Sequence, residues 1–216
     1  MRENAYYENN KVDSFAPLDY PITASNEIAL QTKRISFDQL QLRLENELLS
    51  RRLNSSGRNK QQVIMCAALV EKATNIAGIA RTCEIFAVEE LIISDLRVMQ
   101  SDDFKGISVN AGDWLQIKEV SSSNLVPYLI SMKTQGYVIV GLEQTDSSMS
   151  MLTSTLPNKC VLLLGKEKEG IPVELLQLVD ICIEIPQFGV TRSLNVHVSA
   201  ALLLWEVTKQ NKEWLK

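Results

Sequence analysis

The chain reads as an α/β protein with a mostly parallel sheet and helices on both faces, and three observations lead there. From Gln61 onward, short apolar runs of strand length alternate with segments of helical periodicity. The runs are nearly unbroken in their apolar character, as in Val63–Val70 and Val161–Leu164, which suits strands covered on both faces. Polar loops gather at strand ends, above all at Gly165–Gly170 and Pro186–Asn195. Ligands bind outside the carboxyl ends of strands in open α/β sheets, so these two loops are where a small molecule would be held.

The elements follow in order. Residues 1–35 mix Asn, Asp, Pro and Ser without sustained periodicity and read as a flexible arm. From Phe37 to Leu53 apolar residues fall at helical spacing, with Leu40, Leu44, Leu48 and Leu49 sharing a face. Asn54–Lys60 (NSSGRNK) ends that short amphipathic helix as a linker, so residues 1–60 are set apart from a domain over 61–216. In that domain Val63–Val70 is the first strand, followed by a helix starting at Thr74-Asn75 and running to about Ala87. Further strands are expected at Leu91–Ser94, Gln116–Val120, Tyr137–Leu142, Lys159–Leu164 and Asp180–Ile185, six in all. Helices are expected over Leu125–Thr134 and Ser193–Lys209.

Composition narrows the class. At 216 residues and 45% apolar content the chain suits one domain with a full core and a tail. No apolar run reaches membrane-spanning length and the polar start has no signal-peptide core, so an intracellular protein, cytoplasmic or nuclear, is expected. Four separated cysteines (Cys66, Cys83, Cys160, Cys182), no CxxC pair and a single histidine argue against structural zinc and for reduced, buried thiols. A net charge of −4 excludes a strongly basic nucleic-acid binder but not a local basic patch.

Three constellations carry chemistry. In Asn75–Cys83, Asn75 is placed to cap the helix, and Gly78 permits close approach of a backbone or ligand. Arg81 stands one to two turns in, where a surface arginine and an anion-holding arginine both fit the spacing. Gly165-Lys166-Glu167-Lys168-Glu169-Gly170 directly follows a strand and exposes backbone N–H groups, or is a plain charged turn before a helix opened by Pro172. It matches neither G-x-G-x-x-G nor a Walker loop. In Gly189–Asn195, Ser193 is placed to cap the last helix, and Arg192, Ser193 and Asn195 cluster at the mouth of an apolar run, Val196 to Trp205. His197 reads better as a satisfied buried or interface histidine than as a general base.

Together these segments resemble the three motifs of the SpoU (TrmH-like) branch of the SPOUT RNA 2′-O-ribose methyltransferases. Asn75 to Thr82 is similar to the first motif, Leu164 to Gly170 to the second and Ser193-Leu194-Asn195-Val196 to the third. The resemblance covers roughly Gln61 to Gln210. The stretches GKEKEGIP and DICIEIPQFGVTRSLNVHVSAALLLWE look most like the C-terminal catalytic domain of the long eukaryotic tRNA guanosine-2′-O-methyltransferases (the TAR RNA-binding-protein-like group). Those proteins carry a long helical-repeat region ahead of this domain, so a fragment, a truncated product or a stand-alone relative is expected.

The resemblance implies a C-terminal trefoil knot, which periodicity does not reveal since knots are rare exceptions. It implies S-adenosylmethionine as cofactor, with Leu142, Gly165, Ile185, Ser193 and Leu194 lining its site. It also implies a homodimer packed through the C-terminal helix. Arg81, Glu167, Ser193 and Asn195 are the catalytic candidates, and Asn75, Arg81, Lys166 and Arg192 are candidates for touching RNA. Arg81 matches an arginine proposed in the family to act on the ribose hydroxyl across the dimer interface. Because a guanidinium stays charged, phosphate anchoring suits it better than base catalysis. The D-loop guanosine at tRNA position 18 is the expected target. Another tRNA position or rRNA is the alternative, and a non-catalytic RNA-binding subunit is the alternative of another class. The chain departs from the family pattern at Ala77 and Ala87, where glycine is frequent, at Lys166, and at His197, which replaces a common serine. The alanines are mild changes unless their backbones need positive φ.

Overall fold

The computed structural model describes residues 41–43, 45–46, 59–191 and 193–211. Contacts divide the chain into two units, Met1–Asn54 and Ser55–Lys216. In the first, residues 41–43 and 45–46 are helical, and Gln41 Nε2 donates to Glu45 Oε1 at 3.3 Å. The face expected from Leu40, Leu44, Leu48 and Leu49 lies outside the described residues.

The second unit runs β1 (Gln61–Cys66), α1 (Ala73–Ile85), β2 (Val88–Ile93), α2 (Asp102–Ser108), β3 (Ile117–Glu119), α3 (Leu125–Thr134) and β4 (Val138–Leu142). It continues with β5 (Met149–Ser150), β6 (Cys160–Leu164), α4 (Val173–Leu176), β7 (Ile181–Glu184) and α5 (Val196–Gln210). The described strands form one seven-stranded sheet in the order β3-β2-β1-β6-β4-β7-β5, with every pairing parallel. The expected count of six is corrected by β5, a two-residue strand on β7 that no apolar run marks in the sequence.

Alternation along the strands splits the core in two. Val63 and Met65 of β1 and Leu162 and Leu164 of β6 face α1 and α5, meeting Ile79, Cys83, Leu203 and Leu204. Ile64, Cys66, Val161 and Leu163 face the other way, toward Leu125, Leu129 and Met132 of α3 and Leu175 of α4. Most of these side chains are fully buried, each stabilising the fold by about 1.5–3 kcal/mol over an exposed state. Both faces are therefore covered by helices.

Boundaries moved where burial and strand geometry part company. The first strand stops at Cys66, although Ala67–Val70 stay buried. Val70 N bonds Ala67 O at 3.0 Å, so this apolar tail is a buried turn. Helix α1 begins at Ala73 behind Lys72, and α5 begins at Val196 rather than Ser193. The thiols of Cys66, Cys83 and Cys160 are free and buried, and Cys182 is free and half-buried. Burial pushes the Cys66 and Cys160 thiols up to about 12, which leaves them unreactive. Among the described residues no helix is long and apolar enough to cross a membrane.

The strand order fixes the site. Because β6, β4 and β7 are neighbours, the loops leaving their carboxyl ends converge, although they begin at residues 165, 143 and 185.

Candidate active site

The three loops enclose a cavity of about 580 Å³. Its apolar lining is Leu142, Leu164, Ile183, Ile185 and Leu194 from the strand ends and the last loop. Its polar lining includes Asn75, Gly165, Lys166, Glu167, Ser193 and Asn195. Every expected cofactor-lining residue thus borders one space.

The loop after β6 is a closed turn. Lys166 N donates to Gly170 O at 2.9 Å and Gly170 N to Lys166 O at 3.1 Å. Gly170 has φ +71°, a conformation that favours glycine. A Cβ at Gly165 would lie 2.5 Å from the carbonyl carbon of Gly170, so the turn closes only without a side chain there. Its far end is held by Glu143, whose Oε2 accepts from Ile171 N at 2.8 Å while Oε1 accepts from Gln144 N at 3.1 Å. Lys166 Nζ pairs with Glu169 at 2.7 Å.

A side-chain relay joins the three motifs. Asn195 Nδ2 donates to Asn75 Oδ1 at 3.0 Å, and Asn75 Nδ2 donates to Glu167 Oε1 at 3.2 Å. Lys72 N donates to the same Glu167 oxygen at 3.5 Å. Burial raises the Glu167 carboxyl, but bonds from its own backbone, Asn75, Lys72 and Glu71 outweigh it and hold the group below the usual glutamate value.

Two cap assignments are corrected by this relay. Asn75 lies inside α1, 7% exposed, and Lys72 takes the cap position without a side-chain cap bond. The asparagine amide is spent on Glu167 and Asn195 instead. Ser193 is not the cap of α5. Asn195 is, its Oδ1 accepting from His197 N at 2.9 Å and Val198 N at 3.4 Å. A one-step misreading of the cap is natural where two capping residue types lie two apart.

Arg81 stands apart from this cavity: it is exposed on α1 and does not line it. Among the described residues its guanidinium makes no hydrogen bond or ion pair. Arg192 lies outside the described residues. His197 does not line the cavity either. Its Nε2 is 3.0 Å from Thr82 Oγ1, and that hydroxyl donates to Gly78 O at 3.0 Å. With the hydroxyl proton so committed, Nε2–H donates to Thr82. Burial holds the imidazole below its ordinary value, and the ring lies over Gly78, where a Cβ would collide with it. This is the satisfied histidine that the sequence favoured.

Sequence reasoning missed Lys72, Glu143, Gln144, Glu184, Gln187 and Ser199, all on the cavity. The signal for Glu143 was its position: it follows Leu142 directly at a strand end. Glu184 accepts from Ser148 Oγ at 2.8 Å, an acid tied inward to the β4–β5 loop.

Comparison with known proteins gives the same outline. The mouse tRNA (guanosine(18)-2′-O)-methyltransferase TARBP1 is 43% identical over 182 residues, covering 84% of this chain and 12% of that protein. A tRNA (guanosine(18)-2′-O)-methyltransferase of Saccharomyces cerevisiae is 36% identical over 153 residues, 70% of this chain and 11% of that protein. The chain therefore spans about a ninth to an eighth of the length of these relatives. The crystal structure of an Aquifex aeolicus TrmH/SpoU tRNA modifying enzyme superposes with a TM-score of 0.66 at 27% identity, covering 77% of this chain and 84% of that one. The pattern of the SpoU rRNA Methylase family matches residues 62–205, which contain the sheet but for Gln61, the cavity and the Asn75–Glu167–Asn195 relay, and the chain belongs to that family.

Proposed function

We propose that this chain is an S-adenosylmethionine-dependent RNA 2′-O-ribose methyltransferase, acting on tRNA at the D-loop guanosine of position 18. One observation carries the reading: Asn75, Glu167 and Asn195, far apart in sequence, form one hydrogen-bonded relay on the wall of one cavity. The tRNA guanosine-18 methyltransferase names of the mouse and yeast relatives support the substrate.

The residues present fit the cofactor. A cavity of about 580 Å³ is within the range of small-molecule sites, and its apolar side suits an adenine ring. Leu142, Gly165, Ile185, Ser193 and Leu194 would hold it. When bound, it supplies an electrophilic methyl group on a sulfonium sulfur.

The chain's own contribution is to align the acceptor and exclude water. The relay fixes the turn over 165–170 and the start of α5 relative to each other, so both walls keep one geometry. Arg81 anchors the phosphate beside the reacting ribose through its planar guanidinium and orients the 2′-hydroxyl. The proton then leaves to that phosphate or to water. Since Arg81 does not line the cavity of its own chain, it serves the cavity of a second copy in a homodimer. Such a dimer packs through α5, which exposes Val198, Leu202 and Trp205 at 44%, 38% and 55% on one stripe. The C-terminal trefoil knot belongs to the same reading, supported by the last strand, β7, lying between β4 and β5, both earlier in the chain.

The test is methyl transfer from labelled cofactor to unmodified total tRNA, followed by mapping of the modified ribose. Label at the position-18 guanosine is expected, with a loss of at least about a hundredfold in Arg81→Ala. Label on rRNA alone would overturn the substrate. Near-normal transfer by Arg81→Ala would overturn its role.

A further inference from the structure

The loop between β7 and α5 holds Phe188 at 93% exposure and Val190 at 100%, with open space around Gly189 between them. A phenylalanine this bare makes almost no contact within its own chain, so its presence is not explained by packing. Its place is informative. Gln187 before it and Ser193 and Leu194 after it line the cavity, so Phe188 sits on a loop that borders the cavity.

Lys72, Lys166 and Lys168 line the cavity; Lys166 pairs with Glu169, and Lys72 and Lys168 form no ion pair among the described residues. The acids there point to inward partners: Glu143 to Ile171 N and Gln144 N, Glu167 to Asn75, and Glu184 to Ser148. The cavity therefore offers the ammonium groups of Lys72 and Lys168 on its lining and a bare aromatic ring on the loop next to it. That pairing suits a single-stranded nucleic acid, with phosphates on the lysines and a base on the ring.

We infer that Phe188 is a stacking platform for an unpaired base of the RNA, next to the ribose that enters the cavity. This rests on the RNA-methylating reading above. The 2′-hydroxyl reaches the cavity only if its nucleotide is drawn out of its stack, and the exposed ring replaces part of the lost stacking. A second copy of the chain, whose Arg81 reaches this cavity in the homodimer proposed above, is the other occupant, and the mass measurement below separates it from RNA.

The experiment uses the full chain and two readouts, tRNA binding by fluorescence anisotropy and steady-state methyl transfer. Phe188→Ala is expected to raise Kd and KM for tRNA about tenfold, with cofactor affinity and molecular mass unchanged. Phe188→Trp restores both, and Phe188→Leu, apolar but without a π face, does not. Unchanged tRNA binding in Phe188→Ala overturns the proposal, as does rescue by Phe188→Leu equal to that by Phe188→Trp. A halved mass in Phe188→Ala would assign the ring to a protein contact and overturn it also. If the parent protein binds tRNA through Phe188 but transfers no methyl group, the platform stands and the methyltransferase reading fails. If the parent binds no RNA, both fall.

Discussion

Asn75 shows how one side chain can be read correctly as important and wrongly as to why. An asparagine at the head of a helix suggests a cap, but here the helix starts two residues earlier and the amide bridges Glu167 and Asn195. Glu167 gains most from this, since its carboxylate accepts the bonds that hold the turn. Its folded-state value is depressed, so its contribution is fully present above the ordinary glutamate value of about 4.3 and is lost as pH falls through the lower folded value. In urea unfolding, Glu167→Gln should therefore lie below the parent at about pH 6, and the gap should close on acidification below about pH 4. A gap that stays constant across that range would deny the carboxylate this role. Ser193 and Leu194 line the cavity, whereas Arg81, exposed on α1, does not.

At the scale of elements, α1 and α5 meet where Gly78 receives the His197 ring, and this contact sets the spacing between the first and third motifs. Gly78→Ala should cost about 1–3 kcal/mol in denaturant unfolding, because the new methyl group overpacks the ring. In a His197→Ser background the same change should turn stabilising, by up to about 1 kcal/mol, since alanine favours a helix over glycine. The two alanines that stand in glycine slots also separate here. Ala77 is an ordinary buried helix residue, but Ala87, two residues past the end of α1, has φ +52°, where a side chain is strained. Ala87→Gly should raise stability by about 0.5–1 kcal/mol, the relief of a left-handed alanine less glycine's extra chain entropy. A drop in the unfolding midpoint would show that the site tolerates its methyl group.

For the whole molecule, α5 has a buried face and an exposed apolar stripe. Ala200, Leu203, Leu204 and Val207 are buried in the core, and Val198, Leu202 and Trp205 are left outside, with Trp205 edge-on to Phe86 at 6.1 Å. Light scattering should give the mass of two copies for the parent, and Leu202→Glu with Trp205→Glu should give one copy of retained fold and lost transfer activity. A parent that is already a single copy would overturn the proposed dimer and with it the proposed role of Arg81. The sequence by itself determined the α/β class, the strands with long apolar runs and the three polar segments, because burial on both faces and loop chemistry are written locally. Only the tertiary structure decided that β6 lies between β1 and β4 and β7 between β4 and β5, and so which loops meet. It also decided where Ala67–Val70 leave the sheet, that β5 exists, and that Glu143 latches the turn at Gly170. Each of these depends on pairings between residues distant in the chain, and hydrophobic periodicity holds no record of which strand lies beside which.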